Sequence, residues 1–181
     1  MRYLAKYEIA FKGLKEGKHE YEFDIDERFF EKFENNEVTK GDLKAEVTLN
    51  KQSNLMIIDM YVSGTVELLC DRCLEYYPQE VENESKIYIK FGDENEEMSD
   101  EVLVITFDQN QINVAQYLYE LIILGLPIKH VHPDDQSGKS TCDPEMLEKL
   151  KEYLVEEVDE EEQEDLVDER WSELKKLLDN K

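Results

Sequence analysis

A chain of 181 residues with 45 acidic against 21 basic side chains, net charge −24, is long enough for one cored domain with an appendage. That charge disfavours extended binding to DNA or RNA, whose phosphates are gripped by Lys and Arg, and it favours basic partners. Three cysteines are too few for a secreted disulfide framework, residues 1–18 hold no apolar signal-peptide core, and the longest apolar run, 121–126, is too short for a membrane span. A soluble cytoplasmic protein with reduced thiols is expected.

Residues 3–24 read as extended: Tyr3, Ala5, Tyr7, Ile9 and Phe11 alternate with their neighbours, Gly13–Gly17 turns the chain, and Tyr21, Phe23 and Ile25 resume the period of two. Asp26 is placed to cap a short helix carrying Phe29, Phe30 and Phe33, a cluster best assigned to the core. From Asp42 a strand presents Leu43, Ala45, Val47 and Leu49 on one face. After a polar turn at 51–54, Leu55–Val62 is apolar on both faces except at Asp59 and reads as a central strand. Gly64 predicts a bulge or tight turn, and Thr65–Leu69 carries the strand up to Cys70. Tyr76–Phe91 is again extended, acidic residues 93–101 read as a solvated loop, and Val102–Phe107 as a strand.

Asn113 and Gln116 have the spacing of a capping box for a helix through Val114, Leu118, Leu121 and Ile122, which Gly125 and Pro127 end. Residues 128–141 form a loop rich in His, Pro, Asp and Gly, and Pro144–Val155 a second helix. Residues 156–169 hold ten acidic side chains and no basic one, which predicts a linker or a weak helix. Arg170–Leu178 then places Trp171, Leu174, Leu177 and Leu178 on one helical face, to dock on the body or on a partner. The expected fold class is α+β, a mainly antiparallel β-sheet body with a few helices and a C-terminal amphipathic helix. The expected division is 1–155 as the α+β domain, 156–169 as an acidic linker and 170–181 as the terminal helix.

The chemistry concentrates at Cys70-Asp-Arg-Cys73-Leu-Glu75, set between strands. No glycine-rich phosphate loop or nucleophile elbow accompanies it. A CxxC on a tight turn aims two thiolates at one point, about 2.3 Å from a zinc ion. Closing such a site takes two more donors, for which the 128–142 loop offers Cys142 with His132, or His130 as its alternative. Three thiolates and an imidazole suit zinc or iron. A redox pair would sit at a helix N-terminus, which the strand-like flanks do not provide. The cysteines can equally be inert, half-buried hydrophobes in a sheet. Arg72 either pairs with Asp71 or Glu75 or makes a bidentate contact with a carboxylate or phosphate.

The run Gly64-Thr-Val-Glu-Leu-Leu-Cys70-Asp-Arg-Cys73-Leu-Glu75, followed by a helix into Leu124-Gly-Leu-Pro127 and a His/Cys loop, resembles the YceD family of large ribosomal RNA subunit accumulation proteins. The closing Arg170-Trp171 and leucine-rich helix are similar to the tails of many members. The resemblance implies a non-enzymatic factor in ribosome assembly, with no catalytic residue, working through a basic ribosomal protein or a pre-large-subunit particle, or through a narrow RNA contact near Arg72. It also suggests a four-ligand metal site, for which Cys70, Cys73, Cys142 and His132, or His130 in its place, are the candidate ligands and zinc the candidate ion; Arg72 and Trp171 are the candidate partner-binding residues. Two other classes stay open: a zinc-dependent or thiol enzyme using Cys70 and Cys73 with Glu75 as base, and an acidic interaction domain with inert cysteines.

Overall fold

A computed structural model describes residues 3–34, 37–93, 95–99, 101–135 and 137–153. The sequence expectations on the acidic linker 156–169, on the terminal helix and on Trp171 lie outside the described residues. A boundary between Cys142 and Asp143 divides the chain into two compact units.

The first unit is built on a six-stranded sheet. Strands β1 (Glu8–Ala10), β2 (Gly17–Ile25), β3 (Gly41–Lys51), β4 (Leu55–Leu69), β5 (Tyr76–Gly92), β6 (Glu96–Ser99), β7 (Val102–Thr106) and β8 (Gln111–Asn113) follow in chain order, with helices α1 (Glu27–Phe30) and α2 (Ala115–Leu124). The sheet order is β2-β3-β4-β5-β7-β6, and β1 pairs separately with β8. Neighbours are antiparallel except β5 and β7, which run parallel. The fold is therefore α+β, on a largely antiparallel body.

Strict alternation builds the core. Leu43, Ala45, Val47 and Leu49 of β3, Met56, Ile58, Met60, Val62, Val66 and Leu68 of β4, and Tyr77, Val81, Ile87 and Ile89 of β5 are buried on one face. Against them lie Leu118, Leu121 and Ile122 of α2, while Phe29 and Phe30 of α1 are fully buried, with Phe29 packed on Tyr7 and Phe30, and Phe33 is half-buried and stacks on Tyr119. Burying each such side chain contributes about 1.5–3 kcal/mol, which makes this layer the main source of stability. In the second unit, α3 (Pro144–Tyr153) begins beside Asp143, whose Oδ1 accepts the Glu145 backbone N–H at 3.1 Å.

Several local expectations are corrected. Tyr3–Tyr7 forms a 3-10 turn rather than a strand. Side chains hold it there: the Tyr3 hydroxyl donates to the Asp26 carboxylate, and the Lys6 ammonium and Tyr7 hydroxyl both donate to the Asp24 carbonyl, each at 3.1 Å. Asp26 precedes α1 but makes no side-chain cap, because Tyr3 engages its carboxylate. Gly64 neither bulges nor turns, since β4 pairs through it without a register shift, opposite Leu43 and Val81. It is needed because its φ is +152° and a Cβ there would lie 2.3 Å from the Asp42 carbonyl oxygen. The acidic 93–101 stretch contains β6, an edge strand with the charged residues that edges commonly carry. The capping box does not form: Val114 is the N-cap residue and makes no side-chain cap, Asn113 Oδ1 accepts the Ala115 N–H at 2.9 Å instead, and Gln116 turns to Glu120 at 2.7 Å.

Candidate metal centre

The long β4–β5 hairpin closes through Cys70–Glu75. The Cys70 N–H donates to the Glu75 carbonyl and the Leu74 N–H to the Cys70 carbonyl, both at 2.9 Å. So short a closure forces Leu74 to a φ of +60°, the one non-glycine residue with positive φ among the described residues. A bulky side chain there costs of order 1–3 kcal/mol and persists where surrounding structure demands it. Here the turn aims both thiols inward: Cys70 and Cys73 are buried, while Leu74, Glu75 and Tyr76 face solvent.

The 128–142 loop folds over this turn. Asp71 clasps it from both sides, its N–H donating to the His130 carbonyl at 2.7 Å and its Oδ2 accepting the His130 N–H at 2.8 Å. A bridge between Asp134 and Ser140 narrows the loop, and the Thr141 hydroxyl donates to the Pro133 carbonyl at 2.7 Å. These bonds bring His132 and Cys142 to the cysteine turn.

Four donor atoms from Cys70, Cys73, His132 and Cys142 all lie within 4.8 Å of one another. Cys70 Sγ is 3.7 Å from Cys142 Sγ, and His132 Nδ1 is 3.4 Å from Cys73 Sγ and 3.7 Å from Cys142 Sγ. Tetrahedral ligands at zinc–sulfur and zinc–nitrogen lengths are separated by about 3.5–3.8 Å, close to these three distances, so the chemistry and spacing of the donor set fit such an ion. His130 stands apart from this set and contributes its backbone to the Asp71 clasp. All three thiols are free of disulfides.

Electrostatics favour the ligating form. Burial pushes the Cys70 thiol up, but the backbone N–H groups of Cys73 and Arg72, together with His132, outweigh it and lower the thiol to about 5. The ring of Tyr77 packs on His132 with centroids 4.9 Å apart, fixing the imidazole plane, and burial raises the Tyr77 hydroxyl. Arg72 pairs with neither Asp71 nor Glu75; its Nη2 reaches Ser140 Oγ at 3.4 Å and its Nε is buried without a partner.

The second chemical feature spans the open face of the sheet. Glu22 of β2 lies opposite Glu46 of β3, Glu46 opposite Tyr61 of β4, and Tyr61 opposite Glu84 of β5. The next rows add Asp24, Glu82, Asp42 and Glu80, with Lys44 as their basic neighbour. Glu22 and Glu46 are like charges directly opposite one another, an arrangement that destabilises a sheet, while on the adjoining row Lys86 pairs with Asp59 at 3.0 Å. Periodicity placed these residues outward without revealing that three strands would align their carboxylates; only the register does that.

A family model described as Large ribosomal RNA subunit accumulation protein YceD matches residues 58–178, more than half of the chain. No curated protein and no solved structure matches. Among the described residues no helix is long and apolar enough to cross a membrane.

Proposed function

We infer that this chain, which belongs to the YceD family of large ribosomal RNA subunit accumulation proteins, supports that accumulation as a non-enzymatic, cytoplasmic assembly factor. In this reading the cysteine cluster is a structural zinc centre and the acidic sheet face receives a basic ribosomal protein. The observation that supports the non-enzymatic reading is the four-donor set: three cysteine sulfurs and one histidine nitrogen within 4.8 Å of one another would fill all four positions of a tetrahedral ion and leave none for water or substrate. A catalytic zinc needs such a position and a nearby base. Glu75, the candidate base, has an exposed side chain and lends the turn its backbone carbonyl.

The role of the centre is to tie the β4–β5 turn to the 128–142 loop, a join that otherwise rests on a few hydrogen bonds. The role of the sheet face is recognition. Lysine- and arginine-rich proteins complement aligned carboxylates and are drawn to them at long range. This also reconciles a ribosomal role with a charge that repels RNA. Arg72, tied to the loop at Ser140, supports the join rather than reaching outward for phosphate.

The test uses the purified chain against bare large-subunit rRNA and against isolated basic large-subunit proteins across a salt series. The proposal expects saturable binding to one or more proteins and none to RNA at moderate salt. Tight binding to bare RNA that weakens steeply with salt overturns the protein-partner reading.

A further inference from the structure

A groove of about 670 Å³ lies beside the cysteine turn, between the end of β4, the end of α2 and the segment after it. Leu69, Ile123, Leu124, Leu126, Pro127 and Ile128 line it, and polar and apolar surface contribute about equally to its walls. Three of these sit in water, with Leu69 at 42 %, Leu124 at 79 % and Ile128 fully exposed. Scattered exposed leucines are ordinary on a protein surface; several lining one groove mark an interaction site. Tyr76, the cross-strand partner of Leu69, is also exposed, so the open sheet face changes from carboxylates to apolar side chains at this end.

The rim identifies the occupant. Glu37 and Asp71 line the groove together with His130, and among the described residues no lysine or arginine lines it. From there the open face continues into the rows of Glu80, Glu82 and Glu84. A groove that combines exposed aliphatic side chains with an acidic border, and that lies next to an acidic sheet face, complements a segment with apolar side chains on one side and lysines or arginines around them.

We propose that this groove docks an amphipathic basic segment of the ribosomal partner, its apolar side chains seated against Leu69, Leu124 and Ile128 and its cationic side chains on Glu37, Asp71 and the sheet carboxylates. The proposal rests on the protein-partner reading above and adds to it where the partner sits and which half of its chemistry supplies affinity. Apolar contacts in the groove give the short-range term, and the acidic face gives orientation and encounter rate. The groove's position follows from the Asp71–His130 clasp, since both residues line it.

The experiment measures fluorescence anisotropy of three labelled synthetic peptides with the full chain. One has leucines at helical spacing on one face and lysines elsewhere; the second has serine for leucine; the third has glutamine for lysine. Each is titrated against wild type and against the Leu124→Ser/Ile128→Ser double variant, which removes exposed side chains and leaves the charge unchanged. The groove expects the leucine–lysine peptide to bind the wild type best and to lose about tenfold in affinity on the double variant. The serine peptide should bind weakly and equally to both proteins. Equal affinity for the leucine–lysine and serine peptides, or no loss on the double variant, overturns the proposal in favour of charge alone. A wild type that dimerises where the double variant is monomeric overturns it in favour of a second copy as occupant. Cells carrying the double variant separate the two readings. Normal large-subunit rRNA in them removes the groove and spares the assembly role, whereas normal rRNA in cells lacking the chain removes the assembly role itself.

Discussion

The sheet body and the cysteine end are held together by different means. In the body, β3, β4 and β5 pair over 11 and 15 successive positions and bury apolar side chains along one face. At the cysteine end, residues 59 to 72 positions apart in sequence meet through thiols, an imidazole and one aspartate clasp. The body is stabilised by buried area, a cooperative quantity spread over many side chains. The other end is joined by a few directional contacts: the thiol and imidazole donors, the Asp71 clasp and the packing of Tyr77 on His132. Damage to the body should lower global stability and leave the donor set's chemistry alone. Damage at the cysteine end should do the reverse.

The largest expected stability effect is in the body. Ile58→Ala removes a fully buried side chain between Leu49 and Ile87 and should cost about 2–5 kcal/mol in urea unfolding. Metal per folded chain should stay at the wild-type ratio; a proportional loss of metal would erase the distinction between the two regions. Gly64→Ala probes the same body through its backbone. Its new Cβ meets the Asp42 carbonyl and Leu43, and a cost of about 2–4 kcal/mol is expected, again without change in the metal ratio.

At the other end, Asp71→Ala removes the side-chain half of the clasp on His130. Global unfolding should move by about 1 kcal/mol or less, while zinc affinity in a competition titration should fall about tenfold. A global loss as large as that of Ile58→Ala would show that the loop belongs to the cooperative core. Acid should act at this end too, because protons compete for three thiolates and an imidazole. Zinc release on lowering the pH should precede loss of the sheet's far-ultraviolet dichroism. The smallest effect sharpens the account of the turn: Leu74→Gly relieves the positive φ of an exposed residue and should stabilise the chain by about 1 kcal/mol or less.

The same contrast explains what was legible in the sequence. Leu43, Ala45, Val47 and Leu49 announce their strand because burial on one face imposes a period of two. The long reach of β4 through Gly64 was hidden, because glycine reads as an interruption whereas here it permits a close approach of β3. The turn at Tyr3–Tyr7 was hidden too, since its alternation survives from Tyr7 onward and the bonds to Asp24 and Asp26 are not local. Cys70 and Cys73 stood out by spacing and strand flanks. Their juxtaposition with His132 and Cys142 depends on the Asp71 clasp, a contact for which no periodic signal exists. The groove at Leu69, Leu124 and Ile128 was not foreseen, because exposure of a leucine is a property of the assembled surface.

The central claim is that the cysteine end is a closed structural zinc centre. Metal content per chain, measured on protein purified without chelator or an affinity metal and repeated on Cys73→Ser, tests it most directly. The expected result is near one zinc per wild-type chain and near none in the variant, with the sheet retained in both. A metal-free wild type with its fold intact would contradict it.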